Sequence, residues 1–242
     1  MIGFVTDPNL GFYLPLAYCG KLGLVENTAL VRLTNVGYAT SGSVILDDID
    51  LTISGGDVLG LSGPNGSGKT TLLRLLATLY KPTRGDYSIL GATPSSSPEA
   101  LVKARLRIAL IGHYPSLWPE MTLLENVEMI DRLRGTGPSS VDPLETVGLK
   151  DLAGWKASRT SLGMQRRVEF ARILNHIPRL LLLDEPHAGL DEAGRPLVDH
   201  LINKVIDQEG AVVMVSHYQD LVNPVLTRRG EVTSGTLQEL ST

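Results

Sequence analysis

The chain has 242 residues, 43% hydrophobic and 20% charged, ordinary globular figures that allow one large α/β domain or a core with a subdomain. A net charge of −4, from 22 basic and 26 acidic residues, supplies no general attraction to nucleic acid or to an anionic membrane surface. The lone Cys19 excludes an internal disulfide, and the most apolar stretch, 10–25, is broken by Pro15 and Lys21, so neither a membrane span nor a secretory signal is expected.

Residues 1–28 show no helical or alternating period and are expected to be an extension, disordered or upstream of the true start. Regular patterning begins at Ala29. Residues 30–33 and 49–53 alternate like half-buried strands, joined through a turn-rich stretch at 39–43. Residues 58–61 form a short apolar run, as in a buried parallel strand, and 71–77 read as a helix. A turn at 81–86 leads to a strand at 87–90. A Ser- and Pro-rich loop at 93–98 precedes a helix at 99–106, followed by a buried strand at 108–111. Residues 120–175 are expected to be mainly helical, with loops at 135–140 and 154–160. Core strands follow at 180–183 and 211–215. Strands alternating with helices imply an α/β fold with a parallel sheet.

Between the apolar run and its helix lies Gly63-Pro64-Asn65-Gly66-Ser67-Gly68-Lys69-Thr70-Thr71, a complete G-x-x-x-x-G-K-[ST] phosphate loop. Its glycines let successive backbone N–H groups converge on a phosphate chain at the positive end of the helix. Lys69 would neutralise the outer phosphates and Thr70 would hold Mg²⁺. The four leucines 180–183 run into Asp184-Glu185. Carboxylates at the carboxyl end of a buried parallel strand lie where ligands bind in such sheets. Asp184 can reach Mg²⁺ there, and Glu185 can polarise a water that attacks the γ-phosphate. His217 ends the strand 211–215 and can point at the same phosphates. An Asn-Lys-x-Asp guanine motif is not met, because Ile206 stands where Asn203-Lys204 would need an Asp.

The order of these motifs, with a signature stretch near Ser161 and the turn Ala188-Gly189-Leu190-Asp191, resembles the nucleotide-binding domain of ABC transporters over residues 29–235. The resemblance implies a P-loop NTPase core with a mainly parallel sheet, an N-terminal antiparallel β subdomain and an α-helical signature subdomain at 113–175. It implies that Tyr38 stacks on adenine, that residues 63–71 bind ATP, and that Ser161, Gly163 and Asp191 contribute to the ATP site. The stretch 160–167 is similar to the family's Leu-Ser-Gly-Gly-Gln signature at Ser161 and Gly163, whereas Thr160 and Met164 depart from it. In the family the helix behind this serine faces the γ-phosphate held by a second copy or a homologous subunit, so two ATP molecules are sandwiched head to tail. The family also has a glutamine after the strand 108–111, touching Mg²⁺ or the attacking water. His113 occupies that position, followed by Tyr114. Thr70, Asp184 and His113 are then the groups expected around Mg²⁺, and Lys69, Glu185 and His217 the catalytic ones.

The implied activity is ATP hydrolysis coupled to transport, with separate transmembrane permease subunits, no nucleic acid, and a place on the cytoplasmic face of the membrane. Gly112-His113 ahead of Pro115 looks like the haem-exporter ATP-binding subunit of cytochrome c maturation. So does the short stretch after His217. The Ser-Leu-Gly-Met of the signature fits an ABC-2 type drug or lipid exporter nearly as well. Two readings of another class stand beside these. One is a soluble ABC protein acting on ribosomes or DNA, which the spacing of about 90 residues between phosphate loop and Ser161 disfavours. The other is a regulatory module that does not turn over, against which Glu185 and His217 argue. Trp118, within the 113–120 loop, is a candidate anchor for the membrane partner.

Overall fold

The computed structural model describes residues 4–6, 13–15, 29–135, 142–192, 194–216 and 223–240. Within the N-terminal extension, β1 (Phe4–Thr6) and β2 (Tyr13–Pro15) pair antiparallel, three residues each and too short for a sequence period to register. The first subdomain is a three-stranded antiparallel sheet in the order β4-β3-β6. Strands β3 (Val31–Thr40) and β4 (Ser43–Ile53) run longer than their alternating cores, because the turn between them shrinks to Ser41-Gly42. Both turn residues take left-handed φ, 50° and 80°, the geometry that suits a two-residue hairpin to the strand twist. Strand β6 (Arg84–Ile89) covers the other edge of β3.

The core sheet has six strands in the order β11-β10-β5-β9-β8-β7. Strands β5 (Val58–Ser62), β7 (Ile108–Ile111), β8 (Leu180–Asp184), β9 (Ala211–Val215) and β10 (Arg228–Thr233) are parallel. Only the edge strand β11 (Thr236–Leu240) is antiparallel. Successive leucines of β8 enter opposite faces: Leu180 and Leu182 join one apolar cluster with Leu59, Leu61 and Val213, and Leu181 and Leu183 the other with Val58, Val212 and Met214. All four are fully buried, each contributing roughly 1.5–3 kcal/mol of apolar transfer. That double burial explains the continuous apolar run in place of alternation.

The helices are α1 (Lys69–Leu76), α2 (Pro98–Arg105), α3 (Leu123–Arg134), α4 (Pro143–Thr146), α5 (Leu162–Asn175) and α6 (Pro196–Ile206). A reciprocal capping box between Thr122 and Glu125 starts α3, and Gly135 at φ 68° stops it. Helix α5 starts at Leu162, where the Ser161 side chain caps it by accepting from Met164 N. The expected loop at 135–140 falls mostly outside the described residues. Among the described residues no helix is long and apolar enough to cross a membrane. The strand order places the ends of β5, β8, β9 and β7 side by side, and the site is built there.

Candidate functional site

The phosphate loop connects β5 to α1. Gly63, Gly66 and Gly68 all take left-handed φ, and a Cβ on Gly63 would lie 2.1 Å from the Val232 carbonyl oxygen, so only glycine fits where the loop crosses β10. Lys69 is the first residue of α1 and nearly buried; its Nζ donates to the carbonyls of Gly63 (2.7 Å) and Pro64 (2.8 Å), which holds the charge over the loop. The Thr70 hydroxyl donates to Asp184 Oδ2 at 2.9 Å, tying the loop to the end of β8. Glu185 follows with a left-handed φ of 56°, unusual for a residue with a side chain, and its N–H donates to the Val215 carbonyl at 2.9 Å. Strain of this kind, about 1–2 kcal/mol, persists where the surroundings fix it and is concentrated at functional sites.

These pieces enclose a cavity of 540 Å³. Asn65, Gly66 and Gly68 to Thr71 line it from the loop, Asp184 and Glu185 from β8, Val215 from β9, His113 from the segment after β7, and Ile45 from the antiparallel sheet. A neighbouring space of 350 Å³ shares Thr70, His113 and Asp184. The structure thus brings His113 to the sequence-expected Thr70–Asp184 pair, with its ring edge-on to Tyr114 at 4.8 Å.

Other expected residues stand elsewhere. Tyr38 does not line the cavity; its ring lies parallel to that of Tyr80, centroids 5.0 Å apart, with the Arg74 guanidinium 5.8 Å from the Tyr80 ring. Register shifts in the β3–β4 pairing fall on both sides of Tyr38, and such irregularities re-aim a side chain. Ile45 is the residue that the antiparallel sheet offers to the cavity. Ser161, Gly163 and Asp191 do not line the cavity of their own chain. A Cβ on Gly163 would lie 2.6 Å from the Gly189 carbonyl oxygen, so the close approach that glycine permits here is to the 188–191 turn. Asp191 accepts from Arg167 Nη2 at 2.9 Å and from Gly194 N at 2.9 Å. His217 lies outside the described residues.

Behind His113 is a polar network that sequence reasoning missed. Arg166 is fully buried; it donates to Gly112 O (2.7 Å), His113 O (2.7 Å) and Glu169 Oε2 (2.9 Å). Glu169 also accepts from the N–H and hydroxyl of Ser116. Arg172 donates to Ser116 O and to Asn126, and lies 5.3 Å from the centroid of the Trp118 ring. Burial lowers the Arg166 guanidinium, lowers that of Arg172 to about 10, and raises the Glu169 carboxyl. Arg172 stays charged at neutral pH. The available signal was charged residues three apart (Arg166, Glu169, Arg172) in a helix otherwise rich in core residues, a spacing that puts them on one face.

Residues 46–188 match the family model for ABC transporters. The chain belongs to the ABC transporter family. It is 38% identical over 192 residues to the uncharacterized ABC transporter ATP-binding protein YhcH of Bacillus subtilis (strain 168), covering 78% of this chain and 62% of that protein. It is 31% identical over 217 residues to the Nod factor export ATP-binding protein I of Cupriavidus pinatubonensis, covering 88% and 65%. The chain therefore spans less than two thirds of the length of these relatives. Among solved structures, the dimeric post-hydrolysis state of the ATP-binding cassette MJ0796 bound to ADP and Pi matches with a TM-score of 0.75 at 28% identity, over 88% of this chain and 99% of that one. The fold expected from the resemblance is the one found, with the mixed edge at β11 and the antiparallel subdomain in place.

Proposed function

We propose that this chain is the ATP-binding and ATP-hydrolysing subunit of an ABC exporter. The observation that carries the reading is the 540 Å³ cavity in which the glycine loop, Lys69, Thr70, Asp184 and Glu185 converge. Lys69 and the loop N–H groups bind the phosphates, and Glu185 takes a proton from the attacking water. The hydroxyl of Thr70 and the carboxylate of Asp184, already 2.9 Å apart, are hard oxygen donors that fit Mg²⁺. Mg²⁺, when bound, supplies charge neutralisation to the transferred phosphoryl group. His113 lies on the same wall and can hydrogen-bond the water, and His217 is proposed as a further phosphate contact. Tyr38, stacked on Tyr80, is proposed as the platform for adenine, on the side of the antiparallel sheet from which Ile45 lines the cavity.

The exposed, Ser161-capped start of α5 does not line its own cavity and suits the nucleotide of a second copy or of a homologous subunit. The proposed partners further include separate membrane permease subunits on the cytoplasmic side. Trp118, 42% exposed and braced by Arg172 and Asn126, is a firm apolar contact for them. The Nod factor export relative favours export, in line with the ABC-2 type reading; haem export for cytochrome c biogenesis is supported by Gly112-His113 in the sequence. The test is phosphate release from Mg²⁺·ATP by the purified chain. Wild type turns over, and Glu185→Gln binds ATP but releases phosphate at least about a hundredfold more slowly. Equal rates would remove Glu185 from its role.

A further inference from the structure

We propose that Arg166 and Glu169 are positioning residues that latch the start of α5 to the backbone around His113, so that the Ser161 end of the helix and the histidine at the cavity move as one body. The inference rests on the hydrolytic reading above. The Arg166 fork bridges two successive carbonyls, Gly112 O and His113 O, while its partner Glu169 grips Ser116 by N–H and hydroxyl. The segment 112–116 is therefore held at both ends by one ion pair on one helix turn. A lysine cannot reproduce this, since its ammonium is a point charge without the planar fork. Arg166 lies five residues after Ser161, about 7.5 Å along the helix axis. Between them Gly163 packs on the Gly189 turn, and Arg167, next after Arg166, holds Asp191. A nucleotide met at Ser161 by a second copy thus acts on a rigid block whose other side carries His113. The pair is almost fully withdrawn from water, with side-chain exposures of 0% and 5%, so salt does not screen it.

The experiment uses the full-length chain with histidine-selective ¹³C labelling and Mn²⁺ with a non-hydrolysable ATP analogue. The His113 signal is identified by its loss in His113→Gln. In wild type the paramagnetic ion broadens it. In Arg166→Lys and in the shape-conserving Glu169→Gln the broadening is lost. Turnover with Mg²⁺·ATP falls about tenfold or more while KM stays within about twofold. Adding His113→Gln to either variant lowers turnover no further, because the residues act through one group. Broadening that survives in both variants, or losses that multiply with His113→Gln, would overturn the latch and leave the hydrolytic reading standing. Unfolding of both variants would make the pair a folding element only and equally overturn it. A wild-type chain that shows no broadening and no nucleotide binding would take down the hydrolytic reading, and the latch with it.

Discussion

Replacing Gly163 by alanine tests the contact between the start of α5 and the 188–191 turn. The added Cβ would sit 2.6 Å from the Gly189 carbonyl oxygen, about 0.8 Å inside the 3.4 Å at which ordinary contact begins. The obstacle is backbone, and Gly189 itself is held in left-handed φ (76°) against Leu162, so the clash cannot be relieved by a rotamer change. Overpacking against a rigid neighbour costs up to about 3 kcal/mol. Alanine in a helix returns about 1 kcal/mol relative to glycine. The net destabilisation is about 2 kcal/mol, a fall in Tm of about 4–8 °C for a chain of this size. Since Gly163 is outside the cavity, ATP affinity of the isolated chain should stay within about threefold, whereas turnover should drop at least about tenfold because the Ser161 end is displaced. Scanning calorimetry and a phosphate-release assay report the two effects. Unchanged Tm together with unchanged turnover would refute the reasoning; loss of ATP affinity in the isolated chain would refute the placement of Gly163.

Lys69→Ala removes the loop's buried ammonium and should weaken ATP binding about a hundredfold by titration calorimetry, the scale of two charge-assisted hydrogen bonds. Asn126 is fully buried, with Oδ1 accepting from Trp118 N and Arg172 and Nδ2 donating to the carbonyls of Trp118 and Thr122. Asn126→Leu strands these partners and should cost about 3 kcal/mol in denaturant unfolding. Burial lowers the His187 imidazole below its ordinary value, with Arg195 adding to this and Asp199 opposing it. A lowered folded-state value means that the unfolded chain takes up the proton first. The stability held by neutral His187 is thus present above about pH 6.5 and lost as pH falls below it. His187→Gln should flatten the dependence of Tm on pH between about 7 and 5.

The phosphate loop, the Leu180–Leu183 strand with its two acids, and strands 108–111 and 211–215 were legible because each is written locally, in a fixed spacing or in a short apolar run. Strand β10 was not. Its sequence, Arg-Arg-Gly-Glu-Val-Thr, carries only Gly230 and Val232 as buried residues, and it becomes a strand by pairing with β5 some 170 positions earlier. Helix α6 has a strongly apolar face, yet the strand-end motifs around it drew the reading past 196–206. The stacking of Tyr38 on Tyr80 was illegible, because a contact between β3 and the end of the segment after α1 is set only by the tertiary structure. Gly163 and Ser161 could be singled out by type and spacing. That Gly163 abuts Gly189 depends on where α5 packs, which only the tertiary structure fixes.

Sedimentation of the Glu185→Gln chain with and without ATP tests most directly whether the cavity of one copy is closed by the α5 end of another. The account predicts a 26.1 kDa particle without nucleotide and one of twice that mass with ATP, returning to the smaller size when Ser161→Arg is added. A chain that binds ATP in the cavity yet stays at the smaller mass under all conditions would contradict it.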